Sequence, residues 1–173
     1  MTNASSVASL LRTCALLVPL AIAAGCSDGN GPEGGFVLTG SWAGAPWAGR
    51  AEALLVGGAA VDTLYLFGTR SSDTDVPEET IRVLVPFTGR GRYPLEPSAV
   101  AFTVLIGGDA VSAEYSGQNP TAGTVEVDTY DATTGLISGR LVFDAEAVTN
   151  FQPYGPSARF ASGQFRARVG QGR

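Results

Sequence analysis

The stretch from Gly123 to Ala147, GTVEVDTYDATTGLISGRLVFDAEA, constrains the fold more than any other part of the sequence. Val125, Val127 and Thr129 alternate with Glu126, Asp128 and Tyr130; Ile137, Gly139, Leu141, Phe143 and Ala145 alternate with Ser138, Arg140, Val142 and Asp144. A strand turns successive side chains to opposite faces, so alternation of this length means two strands, each with one buried face and one wet face. Between them, Asp131-Ala132-Thr133-Thr134-Gly135 opens with a side chain that caps a turn and closes with a residue that takes positive φ freely. The unit reads as an antiparallel β-hairpin.

Similar runs recur along the chain: Val37 to Trp42, Arg50 to Val56, Thr63 to Thr69, Thr80 to Phe87, Gly91 to Leu95, Ala99 to Ile106, Ala110 to Tyr115 and Arg159 to Val169. Gly57-Gly58, Gly89-Arg90-Gly91 and Gly107-Gly108-Asp109 punctuate them. No window carries a helical stripe, and Ser71 to Thr80 has room for one helical turn at most. The expected fold is all-β: an antiparallel β-sandwich or flattened β-barrel of about 8–10 strands. Leu64 to Phe67 and Val100 to Ile106 are apolar on both faces, which suits strands covered on both sides or lining a groove. The final strand, with Arg166 and Arg168 on one face and Phe165, Ala167 and Val169 on the other, reads as a wet edge whose charges discourage edge-to-edge pairing, with Glu126 or Asp128 across the sheet as candidate partners of its arginines.

Upstream of the strands the chain divides into three parts. In residues 1–25, Arg12 precedes an apolar run from Thr13 to Ala24 that is too short to span a bilayer, as in an export signal. It ends in Ala23-Ala24-Gly25-Cys26, small residues before a cysteine, which resembles a bacterial lipoprotein signal. That resemblance implies cleavage before Cys26 and acylation of it; the alternative is an ordinary secretory signal containing a cysteine. Residues 26–35, the lipidated cysteine and a Gly-rich stretch, read as a flexible tether, and residues 36–173 as a single β domain. Ser27 after the cysteine favours the outer membrane. With Cys14 in the signal and Cys26 acylated, the domain holds no thiol, so its core must sustain it without disulfides.

Charge and residue types exclude several functions. Without Arg12, ten arginines face sixteen carboxylates, a net of −6, and the chain has no lysine. Such a surface disfavours nucleic acid and anionic headgroups. Without histidine, lysine or a free thiol, the domain lacks the usual general base, Schiff-base amine and thiolate, and no catalytic residue or cofactor is expected. Glu126 and Asp128, with Cα atoms about 6.7 Å apart on one strand face, are a candidate carboxylate pair near the separation an inverting glycosidase needs; the alternative is a solvated strand face. Asp73, Asp75 and Glu78, in an acidic run ending at Glu79, are candidate oxygen ligands for a hard cation such as calcium, although the run lacks an EF-hand's glycine and spacing. Trp42 and Trp47, either side of a Gly-Ala-Pro loop, are candidates for stacking on a ligand or for capping the core. Tyr93, Tyr115, Tyr130 and Tyr154 would need to converge on them to form a carbohydrate platform.

The hairpin segments Gly-Thr-Val-Glu-Val-Asp-Thr-Tyr-Asp and Gly-Leu-Ile-Ser-Gly-Arg-Leu-Val-Phe-Asp-Ala, with the closing Ser162-Gly163-Gln164-Phe165, resemble a family of small bacterial lipoproteins carrying a domain of unknown function. That family combines a lipobox, a Gly-rich tether, a Trp-containing first strand and a YD…G…ISG…F hairpin. This chain departs from it in having Arg140 in place of Thr and Ser162-Gly163 in place of Asn-Gly. The resemblance implies an envelope location and a β-rich fold, and brings no catalytic residues. The expected function is that of a lipid-anchored envelope protein that binds a glycan, a lipid or another protein, or has a structural role. The alternatives are a lipocalin-like carrier, which needs a hollow barrel, and a carboxylate-dependent glycan hydrolase, which needs a cleft.

Overall fold

The computed structural model describes residues 35–58, 61–118 and 122–171; the signal, Cys26 and most of the tether lie outside them. Ten strands make up most of the described chain: β1 (Val37–Trp42), β2 (Ala45–Val56), β3 (Asp62–Ser71), β4 (Pro77–Phe87), β5 (Gly91–Leu95), β6 (Val100–Ile106), β7 (Ala110–Gly117), β8 (Gly123–Asp131), β9 (Leu136–Ala147) and β10 (Ser157–Gln171). Among the described residues the helical content is one 3-10 turn, Pro97–Ala99. The span Ser71 to Thr80, with room for a helical turn, is instead a hairpin connection closed by Ser72 and Val76.

Eight strands close a ring in the order β1, β2, β3, β4, β6, β7, β9, β10, and β8 and β5 continue the sheet from β9. The ladders are antiparallel, except that β10 outruns β1 and meets β2 in parallel, from Val169 opposite Ala53 to Gln171 opposite Leu55. The result is the flattened barrel that alternation implies, with one parallel contact. Closure overturns the reading of β10 as an edge, since it pairs with β9 on one side and with β1 and β2 on the other. A ring leaves its members no free edge, so the arginines of β10 have no edge to protect. Nor do they meet the β8 carboxylates: Arg140 on β9 does so, 3.1 Å from both Glu126 and Asp128, while Arg168 lies 5.6 Å over the Phe36 ring.

Inward side chains fill the barrel. Trp42 stacks on Phe102 with centroids 4.1 Å apart, Phe143 stacks on Phe160 at 5.5 Å, and Tyr115 meets Trp42 edge-on at 5.5 Å. Rings of this size each bury on the order of 150–250 Å², so this cluster is the heaviest part of the core. Glycine makes room for it: a Cβ on Gly68 would lie 2.5 Å from Leu38 and 2.9 Å from the Trp47 ring. Of the strands apolar on both faces, β3 turns Leu64 and Leu66 inward and Tyr65 and Phe67 outward, where they stack at 6.2 Å, half-buried. Their outer face forms a row across β2, β3 and β4, Leu54 beside Tyr65 beside Leu84.

Two local devices set the register. The β1–β2 turn is only two residues long, Ala43 at φ 50° and Gly44 at φ 84°, the left-handed pair that matches strand twist. Trp47 therefore lies within β2 and not in a loop. In β10, Phe160 pairs with Phe143 but Gly163 pairs with Leu141, so Ala161 and Ser162 together oppose one residue. Ser162 takes φ 53° in this bulge. The extra residue lets Phe160 and then Phe165, Ala167 and Val169 all point inward despite their broken parity.

Candidate functional site

The β1–β2, β3–β4, β6–β7 and β9–β10 connections lie at one end of the barrel, because Trp42 pairs with Phe160, Arg50 with Thr69, Glu79 with Val104 and Tyr115 with Ala147. Just inside this end is Glu79, at 2% exposure the only buried charged residue among those described. Its strand explains the placement: Glu79, Ile81, Val83, Val85 and Phe87 share the inward parity of β4. A buried carboxylate is costly unless its oxygens are paired. Here Trp47 donates Nε1–H to Oε2 at 2.8 Å, Arg70 forms an ion pair with Oε1 at 2.7 Å, and the Tyr154 hydroxyl also donates to Oε1. Arg70 is partly exposed and connects the cluster to solvent.

Tyr154 reaches Glu79 from the β9–β10 loop. Its ring is perpendicular to Trp42 and Phe102, at 6.1 and 5.8 Å, and 6.2 Å from Tyr115. Burial, then the hydrogen bond to Glu79 and the charge of that carboxylate, push the Tyr154 phenol up to about 12. Tyr115 ties the loop down, its hydroxyl donating to the Gly155 carbonyl at 3.1 Å and accepting from the Tyr154 amide at 3.0 Å. Beside them Trp42 buries Nε1 with no hydrogen-bond acceptor among the described residues.

Above this cluster the rim of the barrel is apolar and acidic. Of the seven exposed large hydrophobic residues among those described, five lie here: Val76, Ile106, Val111, Val148 and Phe151. Gly108 packs against Val76 and Pro77, which joins the β3–β4 and β6–β7 turns, and Val148 donates its amide to Glu114 on β7, which joins the β9–β10 loop. Exposed Asp73, Asp75, Glu78, Asp109 and Glu146 stand on the same turns and strand ends. The nearby cations are engaged, Arg70 by Glu79 and Arg159 by Asp144 at 3.0 Å.

The residues singled out from sequence are distributed as follows. Trp42 and Trp47 are each 2% exposed and belong to the core, so neither presents a ring face to solvent. Of the four tyrosines, Tyr115 and Tyr154 converge on Trp42, while Tyr93 and Tyr130 pack on Phe87 elsewhere. Asp73, Asp75 and Glu78 are exposed around a turn held by Ser72, with Asp75 at φ 64°, and no cluster of metal-ligating side chains forms among the described residues. Glu126 and Asp128 lie on the outer face, both on Arg140, in a shallow depression with Arg90 and Arg92. Cys26 lies outside the described residues. Glu79 is the residue that sequence reasoning passed over as one carboxylate in an acidic run. Extending the period-two pattern of β4 back by one inward position would have found it.

Fold and site together define a closed, side-chain-filled β-barrel with an apolar, acidic rim over a buried carboxylate. The chain matches no known protein family, no curated protein and no solved structure.

Proposed function

We propose that this is a lipid-anchored protein of the bacterial cell envelope, held in the outer membrane through acyl chains on Cys26, which acts by binding and not by catalysis. Its contact surface is the rim formed by Val76, Ile106, Val111, Val148 and Phe151. The observation that carries this reading is the concentration of exposed apolar side chains at one end. Scattered surface hydrophobics are ordinary; a cluster ringed by polar groups marks an interaction site. The filled interior supports the same reading over a carrier, since aromatic side chains occupy the barrel axis. The exposed pairing of Glu126 and Asp128 with Arg140 supports it over a hydrolase.

Chain direction relates the rim to the anchor. β1 runs from Val37 toward the rim, so the chain joins the barrel wall below the rim, opposite Arg50 and Arg166. The nine residues between Cys26 and Phe36 let the anchor lie at most about 35 Å from Phe36. An anchor at that reach leaves the rim free to meet another envelope component. Its carboxylates repel anionic headgroups and favour a protein with an apolar centre and a basic margin.

The anchor is tested by expressing the full chain in a Gram-negative host with labelled palmitate. The expected result is a labelled protein in the outer-membrane fraction, and an unlabelled, soluble product for Cys26→Ser. Label persisting on Cys26→Ser, or a wild-type protein free of label in the soluble fraction, contradicts the anchor.

A further inference from the structure

Two departures from ordinary burial coincide beneath the rim. Glu79 is a carboxylate enclosed in the core, and Trp42 encloses an indole N–H that nothing among the described residues accepts. Buried polar groups without partners are rare, and where a chain breaks the rules of its own core a function is the first explanation to seek. The ring that closes this place comes from a loop and not from a strand. Tyr154 is delivered by the β9–β10 connection, whose residues Asn150 to Pro153 are exposed and belong to no strand. Beyond its two ends, where Val148 bonds the Glu114 carbonyl and Ala147 the Pro156 carbonyl, that loop is held to the barrel by the two bonds to the Tyr115 hydroxyl, by one from the Glu114 amide to the Thr149 hydroxyl at 3.2 Å, and by Tyr154 itself on Glu79.

The slot and its plug therefore belong to different parts of the fold. Trp42, Phe102 and Tyr115 wall the slot from three strands, and its polar end, Glu79, is bonded by Trp47 on β2 and Arg70 on β3 independently of the loop that carries Tyr154. Three aromatic walls with a positioned carboxylate at one end match a phenol: a ring for the walls and a hydroxyl donor for the oxygen. We propose that this slot is a binding site for a small phenolic ring and that Tyr154 is its built-in occupant, displaced when the β9–β10 loop lifts. A tethered plug competes at high effective concentration, so the free ligand binds weakly to the closed form and more tightly as the plug is loosened. This inference goes beyond the rim reading and does not depend on the lipid anchor.

The test uses the two indole N–H signals of the full-length protein in solution NMR, since Trp42 and Trp47 are the only tryptophans. The probe is p-cresol, with toluene as the ring without a hydroxyl. In wild type, p-cresol is expected to shift both indole signals saturably in the millimolar range, with toluene at least tenfold weaker. Tyr154→Phe, which keeps the plug but removes its bond to Glu79, is expected to bind p-cresol at least threefold more tightly, and Tyr154→Ala at least tenfold. Should Tyr154→Ala not fold, Tyr154→Phe carries the comparison. No saturable shift in folded wild type, equal binding of toluene, or unchanged affinity in Tyr154→Phe would each overturn the proposal.

Discussion

Trp47 donates its indole N–H to the buried Glu79 carboxylate across 2.8 Å, while Trp42, equally buried five residues earlier, finds no acceptor among the described residues. The two tryptophans look interchangeable in sequence, but their substitution should not cost the same. Trp47→Phe leaves one oxygen of an enclosed carboxylate unpaired, a loss of about 1.5–3 kcal/mol on top of the missing ring volume. Trp42→Phe loses ring volume but also removes an unsatisfied donor. Urea unfolding should therefore find Trp47→Phe less stable than Trp42→Phe by about 2 kcal/mol; equal losses would mean that the hydrogen bond to Glu79 contributes nothing.

Tyr154 gives the fold an alkaline limit. Its phenol is raised to about 12 in the folded protein, by burial first and then by Glu79, above the ordinary value of about 10. Between these values the unfolded chain has lost this proton and the folded chain keeps it, so stability falls as pH rises. The contribution is complete below pH ~10 and gone above ~12. For a half-buried phenol screened by solvent it should be on the order of 1 kcal/mol. Denaturation of wild type and Tyr154→Phe at intervals from pH 8 to 12 should show the steeper decline in wild type. Parallel curves would argue against the Tyr154–Glu79 contact.

Ser162 occupies the left-handed position of the β10 bulge at φ 53°. A side chain there costs about 1–2 kcal/mol, which glycine avoids at an entropic cost of about half that. Ser162→Gly should raise stability by about 1 kcal/mol and the melting temperature by about 2–4 °C. A fall in melting temperature would mean that the bulge is not set by this residue.

Gly68 faces inward on β3 where the Trp47 ring and Leu38 leave no space for a methyl group. Gly68→Ala should force one of them from its position and lower stability by about 1–3 kcal/mol. Because Trp47 also holds Glu79, this variant should move the Trp47 indole signal more than that of Trp42.

The parts of this fold legible in the sequence were those governed by neighbouring residues. The β8–β9 hairpin forms where its alternation implies, except that a register shift at Asp128 corrects the end of β8: Thr129 turns outward to Ser138 and Tyr130 turns inward onto Phe87. Asp131 caps the amides of Thr133 and Thr134, and its carboxyl is held below its ordinary value by the Thr134 hydroxyl and those amides. What alternation could not supply was closure. β10 pairs with β1, whose residues lie more than a hundred positions earlier, and an arginine-bearing strand looks the same whether its second side meets water or another strand. Ser162 adds a second feature that alternation could not supply, since one inserted residue separates the inward Phe160 from the parity of Phe165 within a strand otherwise read from Arg159 to Val169. Glu79 escaped notice for a related reason. Its three partners come from β2, β3 and the β9–β10 loop, and only the closed ring brings them together.

The central claim is that the rim is where the protein meets its partner, and photo-crosslinking in living cells tests it most directly. A photoreactive amino acid placed at Ile106 or Phe151, both exposed on the rim, should give a discrete crosslinked species that weakens when Val111 and Val148 are changed to Glu. The same probe at Asp62, exposed at the opposite end, should give none. Crosslinks at Asp62 and none at Ile106 or Phe151, from proteins that fold and localise alike, would contradict the account.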